Sequence, residues 1–507
     1  MLAIPKSLPI SAGRVHYLSW RKSGLLFLLT LLIIAIAGCG PSPSRKRQDT
    51  SPVVLKDFTN NSCTLQGFQG KNIYAVMSIC NRMEGAADTQ GELQYTITTN
   101  FVNSFSYASL RNLRITYPAS INSSSSTGRN SKQMVIDNML RSQEAEIIKK
   151  HAPLTIKTKR TAPAPPVINE VRQFWIAVDE EWTFQQWPFT CKRISTNAYL
   201  WVDNRDLAAI ADTTLNGFAS EFQTMASLLH TTFGNETDSD GDPRTYIIIS
   251  SAYKDFCGGY FAAQDKFPSA TCPNSNEHDA FYVANYTDPY SIEYSKGTLA
   301  HEFQHMINFD RHYYHNASVN EESWLNEAFA ELASYLCGYG DSSNFLIQEY
   351  LDSPSVGLTA WASCNTSYGI SLLFGRYLYE QFPTKIKPMV DTANVGIANV
   401  ETAIEANFND LFRDFFRAVC LDNTGLTNNP KYQFTTLNLR DGSLGFNGLA
   451  KTTPLSIGNS TEYTVYPYQL LLVPLTNISS SATISVTTSD SSTIGGTIVS
   501  MNSGQNI

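Results

Sequence analysis

HEFQHMINFDRHYYHNASVNEESWLNEAFAELASY, residues 301–335, carries two histidines four positions apart with a glutamate between them. In a helix, residues four apart stack on one face, so His301 and His305 present two imidazoles to one metal ion. Glu302 falls beside the pair, within reach of a water at such an ion, where a general base is needed. A catalytic zinc takes three protein ligands and keeps one position open. Glu327 is the candidate for the third. It lies in a second amphipathic run, SWLNEAFAE, whose Trp324, Leu325, Phe329, Leu332 and Ala333 fit helical spacing.

Taken with its surroundings, this stretch carries a resemblance. WLNEAFAE some twenty residues after the histidine pair is similar to the third-ligand helix of the gluzincin metallopeptidases. HEFQHMINFD, EESWLNEAFAELASY, the upstream GGYF and the downstream SYGISLLFGRYLYEQF together resemble the hyicolysin family of secreted bacterial metallopeptidases. The likeness covers roughly residues 170–430. It implies a zinc ion (Zn2+) held by His301, His305 and Glu327, with Glu302 as base and a peptide bond as substrate. It also implies that Glu331, one turn after Glu327, orients a ligand histidine; the alternative is a solvated helix charge. The loop-like FDRHYYHNASVN absorbs a spacing slightly longer than in the aminopeptidase N branch. A second electrophile for the tetrahedral intermediate is sought in Tyr368, which opens the following helix, with His312 and His315 as alternatives.

The chain has 507 residues and a formal charge of −8, enough for two or three domains and without a basic face for nucleic acid. Residues 1–39 read as an export signal: Arg14, Arg21 and Lys22 precede the apolar run Leu25–Ala37, too short for a comfortable membrane span. Ile36-Ala37-Gly38-Cys39 resembles a bacterial lipobox, making Cys39 the lipidated first residue and 40–53 a tether. An ordinary signal peptide is the alternative. With Gly40 next, the resemblance to lipoprotein sorting implies an exported protein on the outer membrane or cell surface, attached to the membrane through that lipid.

Eight further cysteines form an even set, which in an exported chain favours disulfides. Cys63 with Cys80, Cys257 with Cys272, and Cys337 with Cys364 are the pairings to expect first.

Short alternating runs between 54 and 130 indicate a β-rich N-terminal domain, and 131–166 a helix followed by the proline-rich linker TAPAPPV. Residues 167–430 form the catalytic unit, and the Ser/Thr-rich 431–507 a C-terminal β module. The expected class is α+β, a mixed sheet with a helical lobe, gluzincin-like by resemblance and flanked by small β-rich modules. Asp238, Asp240 and Asp242 at alternate positions resemble a calcium (Ca2+) loop. The glycine is misplaced and Ile249 stands where an EF-hand has Glu, so an acidic turn without metal competes with that reading. The strand HDAFYVANY just before the histidine pair, with Cys257-Gly258-Gly259-Tyr260-Phe261, suggests a sheet edge that a peptide substrate can extend.

Two function classes stand open. One is an endopeptidase with protein or peptide substrates; the other is a catalytically silent surface-binding or adhesin lipoprotein whose β modules hold the partner.

Overall fold

The computed structural model describes residues 54–59, 61–65, 71–79, 93–101, 131–151, 164–316, 318–361, 364–476, 482–488, 494–502 and 507. The chain begins with β1 (Val54–Asp57), β2 (Ser62–Leu65), β3 (Lys71–Ile79) and β4 (Leu93–Phe101), followed by a long helix, α1 (Ser131–Lys150). Next come β5 (Val171–Ala177), β6 (Phe184–Ile194), β7 (Ala198–Asp203), α2 (Asp212–Phe233), β8 (Thr245–Ser250), β9 (Gly259–Phe261) and β10 (Ala280–Ala284). The helical lobe is α3 (Pro289–Asp310), α4 (Ser323–Ser334), α5 (Asn344–Asp352), α6 (Asn365–Gln381), α7 (Ile386–Val390), α8 (Gly396–Ile404) and α9 (Phe408–Leu421). The strands β11 (Leu455–Ser456), β12 (Ser460–Val465), β13 (Leu470–Thr476), β14 (Ala482–Thr488) and β15 (Ile494–Asn502) close the chain.

The central sheet has the order β5-β6-β7-β8-β10-β9. β7, β8 and β10 run parallel, while β9 lies antiparallel at the edge. Both faces are covered, which is why β8 reads TYIIIS as one apolar run and every residue in it is buried. Leu200, Ile247 and Phe281 pack toward Phe218 and Phe222 of α2 and Phe303 of α3. Tyr199, Trp201, Tyr246 and Tyr282 line the opposite face, where Ile136 and Leu140 of α1 join the core.

α3 starts cleanly. Asp288 accepts the Ser291 amide at 2.9 Å, and Pro289 sits where a missing N–H costs nothing. Its far end is pinned by a fully buried ion cluster: Lys266 Nζ lies 2.6 Å from Asp310 and 2.9 Å from Asp279. α4 is held against α6 by a close approach that requires glycine, since a Cβ on Gly375 would lie 2.7 Å from the Ala328 carbonyl oxygen. The start of α4 is tied by the buried Glu321, which accepts the Gly396 amide and the Asn399 side chain, each at 2.6 Å.

The β-rich regions at the two ends are not separate modules, which differs from the expectation of a 54–130 domain and a 431–507 domain. Their strands interleave in a sheet ordered β1-β15-β3-β13-β11 and another ordered β12-β4-β14-β2. Each end supplies hydrogen-bonding neighbours for the other, as where β15 pairs with both β1 and β3. The expected disulfides also differ. The seven described cysteines, Cys257, Cys272, Cys337 and Cys364 among them, are free thiols, so neither the 257–272 nor the 337–364 pairing forms. Cys80, Cys39 and the whole of 1–53 lie outside the described residues, and with them the signal, lipobox and tether readings.

Candidate metal centre

The helical reading of 301–305 holds, with both histidines inside α3 and Glu327 in the middle of α4. Packing of the two helices brings His301 Nε2 and His305 Nε2 to 3.0 Å from each other. Glu327 Oε2 stands 3.4 Å from the first and Oε1 3.5 Å from the second. Zinc bonds of roughly 2.0–2.1 Å in a tetrahedron put ligand atoms about 3.3 Å apart, so this triangle has the size and the donor types of a zinc site. All three residues are buried. Burial is the largest influence on the Glu327 carboxyl and pushes its pKa up, yet the two imidazoles outweigh it and hold the group well below the usual carboxylate range. Burial and Arg141 both oppose protonation of His305, while Glu327 and Glu302 overcome them and leave its pKa raised.

Glu302 is buried on the same helix, beside the edge strand. The approach is close: a Cβ on Gly259 would lie 3.3 Å from Glu302 Cγ, 2.5 Å from Thr298 Cγ2 and 2.6 Å from the Tyr282 carbonyl oxygen. Only glycine lets β9 run this near the glutamate.

Glu331 lies on the His301 side, 3.6 Å from Nδ1, and accepts a hydrogen bond from Ser343 at 2.9 Å. The partner of the other histidine was not anticipated. Asn326 Oδ1 stands 2.9 Å from His305 Nδ1, both groups buried. An amide oxygen only accepts, so this contact selects the tautomer with the proton on Nδ1 and the Nε2 lone pair turned toward Glu327. The signal was available in the sequence, because each candidate ligand imidazole needs its own acceptor and Asn326 adjoins the candidate third ligand. Arg141 Nη1 lies 3.0 Å from the same Nδ1. As a pure donor it calls for the opposite tautomer.

Tyr368 is fully buried, with its ring against Trp361 and its hydroxyl donating to Asp137 of α1. The alternatives to it are engaged elsewhere: His312 Nδ1 meets the Asn308 carbonyl at 2.9 Å, and His315 Nε2 meets Thr237 Oγ1 at 3.0 Å. The acidic group also differs from the calcium-loop expectation. Asp238 and Asp240 gather with Asp279, while Asp242 turns away to accept from Tyr199 at 2.7 Å. Most oxygens of that group already have protein donors, His278 on Asp240 and Ser239 and Lys266 on Asp279.

This chain is similar to a metalloprotease. Over 284 residues it is 28% identical to the neutral metalloprotease ShpI of Staphylococcus hyicus, a match that covers 50% of this chain and 63% of that protein. The chain thus spans less than two thirds of its relative's length. No family model matches it.

Proposed function

We propose that the chain is a zinc-dependent endopeptidase of gluzincin type. The observation that carries this reading is the buried triangle of His301, His305 and Glu327 with Glu302 beside it. Similarity to a neutral metalloprotease supports the same chemistry. Bound zinc would supply Lewis acidity for the scissile carbonyl and the attacking water. Glu302 accepts the water's proton on its carboxylate and delivers it to the leaving amine. Asn326 fixes the His305 ring, and Glu331 steadies His301. The main chain of Gly258 and Gly259 offers an N–H and a carbonyl at the sheet edge, suited to an extended peptide. A silent adhesin would have no physical need for all four of these side chains.

The reading includes export and anchoring through a lipid on Cys39, with extracellular proteins as substrates; the 1–39 sequence pattern is its support. The test is hydrolysis of casein by the mature chain before chelation, after chelation and after zinc is restored. Activity that disappears and returns supports the proposal, and activity indifferent to chelator rejects it.

A further inference from the structure

We propose that α1 is a built-in plug of the metal centre, which occupies the substrate cleft and holds the full chain at a low residual activity. The proposal rests on the peptidase reading above and adds regulation to that same site.

A helix that serves only to complete a core turns apolar residues inward. α1 also buries a polar stripe, Gln133, Asp137, Arg141 and Glu144, spaced by four, four and three residues along one face, with exposures of 3%, 5%, 4% and 2%. Each member meets a part of the site. Gln133 Oε1 accepts the Gly258 amide at 2.7 Å and its Nε2 donates to the Gly259 carbonyl at 3.1 Å. One side-chain amide thereby takes both main-chain groups that an incoming peptide would use, at the strand that passes Glu302. Asp137 accepts from Gln133 at 2.8 Å and from the Tyr368 hydroxyl. Arg141 stands at His305 and is paired with Glu144 at 3.0 Å. The small cavity between His301 and Glu331, of about 10 Å³, has room for one water.

The seating suits removal. Withdrawal also exposes Met134, Ile136 and Leu140, but the polar stripe regains water as it leaves the cleft, so α1 costs less to withdraw than a helix apolar along its whole inner face. An open groove of about 420 Å³ runs along Met139 and Ile147 beside Gln264 and Cys272, so that flank of α1 is only partly covered. The sheet β5 to β10 and all three candidate ligands follow α1 in the chain. Displacing the helix therefore removes neither a strand of that sheet nor a ligand.

The test uses the full chain, zinc-loaded, with Gln133→Ala, Arg141→Ala and Glu144→Ala combined, so that neither half of the ion pair is left buried alone. Hydrogen exchange of the α1 amides, the rate of zinc loss to a chelator, and casein hydrolysis are measured together. Each is expected to rise at least tenfold. Faster exchange in α1 with zinc loss and hydrolysis both unchanged overturns the proposal. Faster zinc loss with no hydrolysis by either protein supports the plug and rejects the peptidase reading instead. If the triple variant does not fold, Gln133→Ala alone is read the same way, with at least threefold changes expected. Val135→Ala, on the solvent face of α1 at 61% exposure, serves as the control and should change none of the three.

Discussion

Replacing Asn326 with Ala tests how the metal centre is oriented. The change removes the oxygen 2.9 Å from His305 Nδ1 in a site where both residues are buried, at 3% and 2% exposure. With a metal ion on Nε2 the proton has to stay on Nδ1, and the N–H left behind is then without an acceptor, because Arg141 on the same side can only donate. A buried donor left unsatisfied costs about 1–3 kcal/mol, which at 1.4 kcal/mol per decade is roughly 5- to 150-fold in zinc affinity. Glu331→Ala should cost less, since its oxygen is already 3.6 Å from His301 Nδ1 and shared with Ser343. Zinc affinity is measured by competition with a chromogenic chelator, and circular dichroism checks that both variants are folded. Asn326→Ala within twofold of the wild type, alongside a tenfold loss for Glu331→Ala, would refute the reasoning.

Glu302→Gln keeps all three candidate ligands, so zinc content should be unchanged while casein hydrolysis falls by ~10²–10⁴-fold; equal loss of metal would assign Glu302 a different role. Lys266→Met strands Asp279 and Asp310 in the interior and should destabilise the fold by about 3–5 kcal/mol in urea titration, whereas a change under 1 kcal/mol would contradict the ion cluster. Burial, against the pull of Lys266 and with Asp279 adding like charge, raises the Asp310 pKa to about 7. Its folded value lies above the ordinary 3.8, so this contribution to stability is full below about pH 4 and is lost as pH rises to about 7. Asp310→Asn should flatten the melting temperature across that window, and an unchanged slope would assign the pH dependence to other groups. Cys39→Ser should abolish lipid attachment, read by detergent-phase partitioning; partitioning that survives would overturn the lipobox reading.

Local periodicity made the site legible. The four-residue spacing of His301 and His305 and the apolar pattern around Glu327 needed only the geometry of single helices, and both segments are helical. The run MVIDNMLRSQEAEIIKKH was also readable as a helix, and all of it but His151 lies in α1. What it packs against was not, because Gln133 and the glycines it holds are more than a hundred residues apart in sequence. The same holds for the β-rich ends: Asp57 accepts from Thr497 across 440 positions, and no alternation pattern encodes such a partner. In the acidic loop, alternate spacing suggested three converging carboxylates, but Tyr199 draws Asp242 away and Asp279 arrives from another loop. Even cysteine counts misled for a similar reason, since parity says nothing of whether two thiols are brought together.

The central claim is that His301, His305 and Glu327 together hold one zinc ion, and metal analysis of purified wild-type chain beside Glu327→Ala tests it most directly. The account predicts one zinc per wild-type chain and a large loss of occupancy in the variant, because two imidazoles alone leave the site short of its third protein ligand. A wild type that binds no zinc, or a variant that keeps full occupancy, would contradict it.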